Sequence, residues 1–338
     1  MMIQHRASDL HISAGDPPVL RIDGRLQRVQ YHDLSVREVE VLLLELLEED
    51  QLQFLKTSKD VDFAYEIENR ARFRCNVFLE RKGYGGAFRL IPTEIMTLRE
   101  LMLPESIHGL AREKNGLVLV TGQTGSGKST TLAAMLDLIN KEQSYHIITL
   151  EDPIEFIHPR SKCLIHQRQI GVHVESFSRG LRAALREDPN VILVGEMRDL
   201  ETIHLALTAA ETGMLVLGTL HTSSAAKTVD RIIDAFPANQ QAQIRTMLSE
   251  SLRGVVAQQL LRRKDGGGRV AAVEVLISNQ AVKNLIREGK TYQIASVLQT
   301  GRSEGMVTMQ DSIRKLTDAG MAHGSEAMSK REQQEGGK

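Results

Sequence analysis

The stretch VLVTGQTGSGKSTTLAAML, residues 118–136, decides the fold of the larger part of this chain. A short apolar run precedes a glycine-rich turn, and a helical pattern follows the turn. Four residues satisfy the pattern G-x-x-x-x-G-K-[ST]: Gly122, Gly127, Lys128 and Ser129. Because this pattern lies between a strand and a helix, the context that gives it meaning, the sequence predicts a phosphate-binding loop.

The chemistry of such a loop predicts ATP and Mg²⁺ as cofactors. Glycines allow backbone N–H groups to turn towards phosphate oxygens, and the start of the following helix adds a partial positive charge. Lys128 is expected to reach the β- and γ-phosphates, and Ser129 to offer a magnesium ligand. The residues expected to surround the nucleotide are Gly122, Gln123, Thr124, Gly125, Ser126, Gly127, Lys128, Ser129 and Thr130.

Two further strand ends carry the acidic side chains that a phosphate-hydrolysing site needs near its metal and its water. The stretch NVILVGE, residues 190–196, places Glu196 after an apolar run, with Gly195 where an aspartate is common. A second stretch, TLEDPIEF, supplies three carboxylates: Glu151, Asp152 and Glu155. A solvated loop is the alternative for these three, but their position after an apolar strand favours a catalytic or metal-binding role for at least one.

The composition excludes several classes of protein. Lys and Arg number 42 against 43 Asp and Glu, and 4% of the residues are aromatic, so nothing favours nucleic-acid binding. Cys75 and Cys163 are far apart in sequence and form no CxxC motif, which argues against a disulfide framework or a zinc site. We find no signal peptide and no apolar run of about 18 residues, so we expect a cytoplasmic protein that reaches a membrane only through partners.

The first ninety residues predict a small α+β domain. Strand-like stretches flank Asp23-Gly24, a dipeptide suited to a hairpin turn. Ser35 and Glu38 have the spacing of a capping box, and apolar residues then recur at helical intervals over residues 39–55, which predicts one helix. The stretches VDFAYEI and ARFRCNVFLE return to strand composition.

The rest of the chain predicts an α/β domain with a parallel sheet covered by helices. Strand-like runs at GLVLVT, HIITLE, NVILVGE and MLVLGTLH alternate with helical patterns such as DLETIHLALTAAETG. A segment bracketed by prolines precedes this region, and a segment poor in apolar residues ends the chain. The predicted parts are a domain over 1–91, a linker over 92–104, an ATPase domain over 105–320 and a disordered tail over 321–338.

The order of these motifs resembles the type IV pilus retraction ATPases, the PilT or twitching-motility family within the GspE-like secretion ATPase superfamily. The resemblance runs nearly end to end, through SDLHISAGDPPVLRIDG, GQTGSGKSTTLAAML, LEDPIEFIH, ALREDPNVILVGEMRDLETI, GTLHTSSAAKTVDRI and AVKNLIREG. It implies a PAS-like N-terminal domain, a RecA-like P-loop ATPase domain and a homohexamer with nucleotide between subunits. It also implies a motor that acts on an inner-membrane platform protein and drives pilus retraction.

The resemblance also implies roles for individual residues. Ser129 or Thr130 would hold Mg²⁺ together with Glu196 in the Walker B role. Glu155 would be the general base of the family's Asp box. His221 matches the family's His box, although by position alone a lone histidine is more often structural. Two arginines would reach the γ-phosphate of a neighbouring subunit: Arg74 and Arg89. An arginine in that role contributes about 10³–10⁵ in rate.

Four departures from the family pattern bear on the expected rate of ATP hydrolysis rather than on whether hydrolysis occurs. Met214 stands where a second histidine is usual, and Gln169 where an acidic residue is usual. Gln123 replaces a common proline of the P-loop, and the helix that normally precedes the SDLH motif is expected to be short or absent. The first three leave Lys128, Glu155 and Glu196 in place, so hydrolysis is still expected.

Three other functions remain open from the sequence. A pilus-extension or type II secretion ATPase would carry a tetracysteine zinc element, but Cys163 is the only cysteine after the P-loop. A nucleic-acid motor would favour basic and aromatic surfaces. A weakly hydrolysing or non-hydrolysing ring subunit that regulates a partner ATPase fits Met214 but not the intact P-loop. The stretch AVKNLIREG reads either as an ordinary amphipathic helix ended by Gly289 or as the family's retraction motif.

Overall fold

The computed structural model describes residues 1–5, 7–22, 24–67, 71–91 and 94–322. The chain folds into two compact units, Met1–Glu94 and Ile95–Lys338. In the described residues, no helix is long and apolar enough to cross a bilayer.

The first unit is an antiparallel sheet with two helices. Its strands are ordered β3-β2-β1-β6-β5-β4. They span β1 Asp9–Ser13, β2 Val19–Ile22, β3 Arg25–Arg28, β4 Asp60–Ile67, β5 Ala71–Glu80 and β6 Gly83–Ile91, and the helices span α1 Val36–Leu44 and α2 Glu49–Ser58. Gly86 lets α1 lie close to the sheet, since a Cβ there would stand 2.6 Å from a methyl group of Leu43. The predicted α+β class is confirmed.

In this unit the predicted capping box is present, but the predicted single helix is divided into two. Ser35 and Glu38 form the predicted capping box, with the Ser35 N–H donating to Glu38 at 2.8 Å. The single helix predicted over 39–55 is wrong, because the chain forms α1 and α2 with a break between them. At the start of α2 the N–H of Glu48 donates to the side chain of Gln51 at 3.0 Å, a local cap that apolar periodicity cannot reveal. Asp23 of the predicted hairpin lies outside the described residues.

The second unit is a sheet of seven strands in the order β13-β12-β7-β11-β10-β8-β9. The strands are β7 Gly116–Thr121, β8 His146–Glu151, β9 Leu164–Gln169, β10 Val191–Val194, β11 Leu215–Leu220, β12 Leu252–Arg262 and β13 Arg269–Ile277. All neighbours are parallel except β12 and β13. The predicted parallel sheet is confirmed for β7, β8, β10 and β11, whereas β9, β12 and β13 were not predicted.

Nine α-helices of the described residues accompany this sheet. They span α3 Glu105–Ala111, α4 Lys128–Glu142, α5 Phe177–Ala184, α6 Leu200–Glu211, α7 Ala225–Asp234, α8 Ala238–Ser251, α9 Gln280–Arg287, α10 Ile294–Thr300 and α11 Met309–Asp318. Two short 3₁₀ helices span Thr291–Gln293 and Gly301–Glu304. The amphipathic pattern of AVKNLIREG forms α9, with Val282 and Ile286 fully buried and Gly289 at a φ of 71°.

Helices on both faces bury the central strands completely, which explains their uninterrupted apolar runs. Every residue of β7 and β11 is buried. Because neighbouring strands β7, β11, β10 and β8 run parallel, their carboxyl ends meet at one edge of the sheet. Ligands of open α/β sheets bind at this edge. The residues predicted to act on the nucleotide follow the ends of these four strands.

The described part of the second unit is packed near both of its limits. Leu98 and Leu103, within the segment predicted as a linker, are buried in its core. Ala322 is fully buried and forms a bridge with Arg263, although it falls within the predicted tail. Pro92, Thr93 and residues 323–338 lie outside the described residues. The exact domain limits stay a prediction.

A buried carboxylate on β13 joins two helix starts and gives a pH-dependent prediction. The Ala225 N–H donates to Glu274 at 2.8 Å, and the Met309 N–H also donates to it. Burial raises the pKa of Glu274 above its ordinary value of about 4.3. Stability contributed by such a group is present below the unfolded-state pKa and is lost as the pH rises through the folded-state pKa.

Glu274→Gln should therefore gain stability relative to the wild type as the pH rises from about 4 to about 7, because glutamine does not titrate. The measurement is the free energy of unfolding of both proteins across this range. Glu288→Gln is the control, since Glu288 is exposed and its pKa is lowered by Lys290, so its dependence should have the opposite sign. A difference for Glu274→Gln that stays constant or falls with pH would contradict the prediction.

Candidate nucleotide-binding site

The loop between β7 and α4 adopts a backbone that requires glycine. Gly122, Gly125 and Gly127 have φ angles of 146°, 77° and 90°. A Cβ on Gly122 would stand 2.3 Å from the carbonyl oxygen of Gln258, and a Cβ on Gly127 would stand 2.7 Å from the side-chain nitrogen of Gln258. The loop therefore packs directly on strand β12, and its glycines are needed both for conformation and for space.

Gln258 fixes the loop from behind. Its side chain donates to the carbonyl oxygen of Ser126 at 2.8 Å and accepts from the hydroxyl of Thr131 at 2.8 Å. The residue is 5% exposed, so these bonds are shielded from water. Sequence reasoning missed Gln258, although a polar residue inside the apolar run VVAQQLL was a signal that could have identified it.

Gln258→Ala should weaken the loop. The substitution leaves two buried polar groups unsatisfied, which costs about 1–3 kcal/mol in the free energy of unfolding of the second unit. We expect ATP affinity to fall about tenfold, which corresponds to about 1.4 kcal/mol. Gln259→Ala, the neighbouring glutamine on the opposite face of β12, is the matched control. Denaturant unfolding and an ATP titration measure both effects, and equal results for the two variants would refute this role of Gln258.

Lys128 lies across the loop. Its amino group donates to the carbonyl oxygens of Gly122 at 2.9 Å and Gln123 at 3.1 Å. Burial lowers the pKa of Lys128, and the charges of Glu196 and Glu155 oppose that shift. The cation is therefore half-buried beside two carboxylates, at the first residue of α4.

Glu196 follows β10 and contacts two basic side chains. Arg198 lies 2.5 Å and His221 lies 3.1 Å from the same carboxylate oxygen. Burial raises the pKa of Glu196, but the hydrogen bond from Arg198 and the nearby positive charges outweigh it, so the net shift is downward. The structure thus brings two predicted residues, Glu196 and His221, into contact, with the glutamate ionised at neutral pH.

Gly195 has a packing reason to replace the aspartate that is common at its position. Its N–H donates to the carbonyl oxygen of Leu150 at 2.7 Å. A Cβ on Gly195 would stand 3.0 Å from that oxygen and 3.3 Å from the Cα of Glu151. The end of β10 therefore lies against the end of β8, and a side chain at this position would push the two strand ends apart.

The three carboxylates at and after the end of β8 have different surroundings. Glu151 is partly buried, and burial raises its pKa although the hydroxyl of Thr149 donates to it at 2.6 Å. Asp152 and Glu155 are exposed, and the Asp152-Pro153 peptide bond is cis. Glu151 is therefore a partly buried anchor of the loop, whereas the Glu155 side chain is exposed and able to face a substrate.

A cavity of about 80 Å³ brings three of the predicted site residues together: Ser129, Glu155 and Glu196. Its polar lining comes from Ser129, Glu151, Asp152, Glu155, His158, Glu196 and Thr219. Burial lowers the pKa of His158 to about 4 against the charge of Asp137, so this histidine is neutral at physiological pH. Sequence reasoning did not identify His158 or Arg198 as parts of the site.

The two arginines predicted to act in trans belong to the first unit. Arg74 on β5 and Arg89 on β6 are directly paired across the strands. Arg89 donates to Asp9 at 2.8 Å, and Arg21 also lies 3.5 Å from that carboxylate. Arg74 is exposed. Their action on a neighbouring subunit stays a prediction.

The three residues that depart from the family pattern lie outside the cavity lining. Met214 is partly buried against the core of the second unit. The side chain of Gln169 accepts the N–H of Ile154 at 3.3 Å, so it supports the loop without a charge. Gln123 is exposed on the P-loop. None of the three occupies the cavity lining.

The residues present fit Mg²⁺ and a nucleotide. The hydroxyl oxygen of Ser126 is buried in the loop without a hydrogen-bond partner in the described residues. The glycines leave backbone N–H groups without overlying side chains, as a phosphate cradle requires. Ser129 and Glu196 carry oxygen atoms of the kind that Mg²⁺ prefers as ligands, and both line this cavity.

An α/β fold with a mainly parallel sheet, this loop and these carboxylates at the strand ends defines a P-loop nucleoside triphosphatase. Residues 1–333 match the family described as type II/IV secretion system protein, and the chain belongs to this family of secretion and retraction ATPases. The site residues predicted from the sequence thus lie in the fold that this family uses.

Three individual similarities extend over nearly the whole chain. The chain is 51% identical to the type IV pilus retraction ATPase PilT of Pseudomonas aeruginosa, covering 93% of this chain and 91% of that protein. It is also 51% identical to a twitching motility protein of Neisseria gonorrhoeae, covering 94% and 86%. A crystal structure of the pilus retraction motor PilT with bound ADP matches with a TM-score of 0.91 and 47% identity, covering 97% and 94%. The predicted resemblance to the retraction ATPases is confirmed.

Proposed function

We propose that this protein is an ATPase motor that powers the retraction of type IV pili. One observation carries the proposal: the cavity at the strand ends joins the P-loop helix to Glu155 and Glu196, with Lys128 beside both carboxylates. The similarity to retraction ATPases over more than nine-tenths of the chain supports pilus retraction as the process that the ATPase drives.

The roles of the residues follow from their positions. Lys128 and the loop N–H groups hold the β- and γ-phosphate oxygens of ATP. Ser129 and Glu196 would hold Mg²⁺, which would neutralise charge on the phosphate oxygens. Glu155, exposed at the cavity, accepts the proton of the attacking water. His221 and Arg198 orient the Glu196 carboxylate through the contacts described above.

We expect the working form to be a homohexamer whose sites are completed in trans by Arg74 and Arg89. Guanidinium groups stabilise the charge that develops on the transferred phosphoryl group. Mixing two inactive variants, Arg89→Ala and Lys128→Ala, tests this. Each mixed interface that pairs an intact P-loop with an intact Arg89 should recover turnover. If the mixture stays as inactive as the separate variants, Arg89 does not act in trans.

The partners follow from the same proposal. The ring would act at the cytoplasmic face of the inner membrane, through a platform protein of the pilus machinery, and would return pilin to the membrane. Helix α9, Gln280–Arg287, is the segment we expect to couple hydrolysis to retraction. Its buried side chains, Val282 and Ile286, hold it on the core. Variants of the partly exposed Lys283 and the exposed Arg287 should therefore test coupling without disturbing the fold.

The test is filament retraction in piliated cells that lack their own retraction ATPase. Expression of this protein should restore retraction of fluorescently labelled pili, and expression of Glu196→Gln should not. An increase in the number of extended filaments would favour an extension ATPase instead. Restoration only in cells that keep another pilus ATPase would favour a regulatory subunit of the ring.

A further inference from the structure

A glutamine on the edge strand β9 holds the loop that carries Glu155. The side-chain nitrogen of Gln167 donates to the carboxylate of Glu151 at 3.1 Å and to the carbonyl oxygen of Phe156 at 2.8 Å. The side-chain oxygen of Gln167 accepts the N–H of His158 at 3.0 Å. One amide therefore makes three bonds: one to the side chain of the last residue of β8 and two to the backbone of the loop that follows it.

These bonds lie on both sides of Glu155. Before it, Gln167 contacts Glu151, whose carboxylate also accepts the backbone N–H of Glu155. After it, Gln167 contacts the backbone of Phe156 and His158. The backbone of Glu155 is therefore fixed between two points that the same side chain defines, although the Glu155 side chain is exposed.

The amide is not needed to keep β9 in the sheet. Strand β9 pairs with β8 along its whole length, from His146 with Leu164 to Glu151 with Gln169. In this register Gln167 lies opposite Thr149, whose hydroxyl donates to Glu151. Backbone pairing holds the strand, so the side chain of Gln167 acts on the loop.

We propose that Gln167 is a positioning residue for hydrolysis, which sets the place of the general base Glu155 by holding its loop against the edge strand. This inference rests on the proposed function for the role of Glu155. It adds a residue that does not line the cavity but determines the position of the base. A displacement of a catalytic group by about 1 Å costs about 100-fold in rate.

Two variants test the proposal. Gln167→Met keeps the length of the side chain and removes all three bonds. Gln167→Glu keeps the acceptor for the His158 N–H but loses both donors and places a second carboxylate against Glu151. Both should lower kcat by about 10- to 100-fold without changing ATP affinity, because the P-loop is untouched. His166→Ala is the matched control, since His166 is the preceding residue on β9 and contacts His146 rather than the loop.

Hydrogen exchange of the loop amides gives a readout that does not depend on activity. In Gln167→Met, the His158 amide loses its acceptor, and the Glu155 amide keeps its acceptor Glu151 but loses the bond that holds this carboxylate in place. Both amides should therefore exchange about five- to tenfold faster. In Gln167→Glu, the His158 amide should stay protected while that of Glu155 does not. In His166→Ala, both should match the wild type.

The outcomes separate this inference from the proposed function. Unchanged loop exchange in Gln167→Met overturns the positioning role, whatever the wild type hydrolyses. Faster loop exchange with an unchanged kcat also overturns it, because the loop would then move without affecting the base. A wild type that turns over no ATP overturns the proposed function, and the exchange data still decide whether Gln167 holds the loop.

Discussion

Glu196→Gln should lower ATP turnover by about 10³-fold, the loss typical of removing one preorganised electrostatic group from an active site. The substitution keeps the size of the side chain but removes the charge that Arg198 and His221 face. Because Lys128 and the loop glycines are unchanged, ATP should still bind. Steady-state phosphate release and an ATP titration measure the two effects separately.

Glu201→Gln is the control for this prediction. Glu201 lies in the first turn of α6 and pairs with Arg182 at the protein surface, outside the cavity. The same chemical change there should leave turnover unaltered. If Glu196→Gln retained turnover within about threefold of the wild type, Glu196 would not act in the Walker B role.

Lys128→Ala should abolish both nucleotide binding and turnover. The Lys128 amino group is the cation that the loop holds over its own carbonyl oxygens, beside two carboxylates. Without it the phosphates would meet Glu155 and Glu196 with no compensating side-chain charge from the loop. We expect ATP affinity to fall at least about 100-fold, which corresponds to about 2.7 kcal/mol.

The same substitution at Lys141 provides the comparison. Lys141 lies in the last turn of the same helix α4 and pairs with Asp137 at 2.7 Å. Lys141→Ala should bind ATP normally. Isothermal titration with a slowly hydrolysed ATP analogue measures both variants, and an affinity for Lys128→Ala within about threefold of the wild type would remove Lys128 from the binding site.

The sequence predicted the parts of the fold whose signals are local. The P-loop motif, the capping box at Ser35 and the four buried parallel strands each depend on residues within a few positions of one another. Strand β9 escaped prediction because its residues are exposed or half-buried and leave no apolar run, and β12 because two glutamines interrupt its apolar run. The break between α1 and α2 escaped it because apolar periodicity continues across the break.

The sequence predicted the reactive residues of the candidate site, but not the residues that hold its loops in place. Lys128, Glu155 and Glu196 follow strand ends, and the parallel sheet brings strand ends together. Gln167 and Gln258 act through hydrogen bonds to backbone segments that lie far away in sequence. A glutamine in a strand has no motif, so only the three-dimensional structure reveals which loop it holds.

Turnover of ATP by the purified protein, separated by size into monomer and ring, tests the proposed motor most directly. We predict turnover confined to the ring fraction and lost there in Glu196→Gln. Equal turnover in monomer and ring would contradict a site completed between subunits. An intact ring that hydrolyses no ATP would contradict the motor itself.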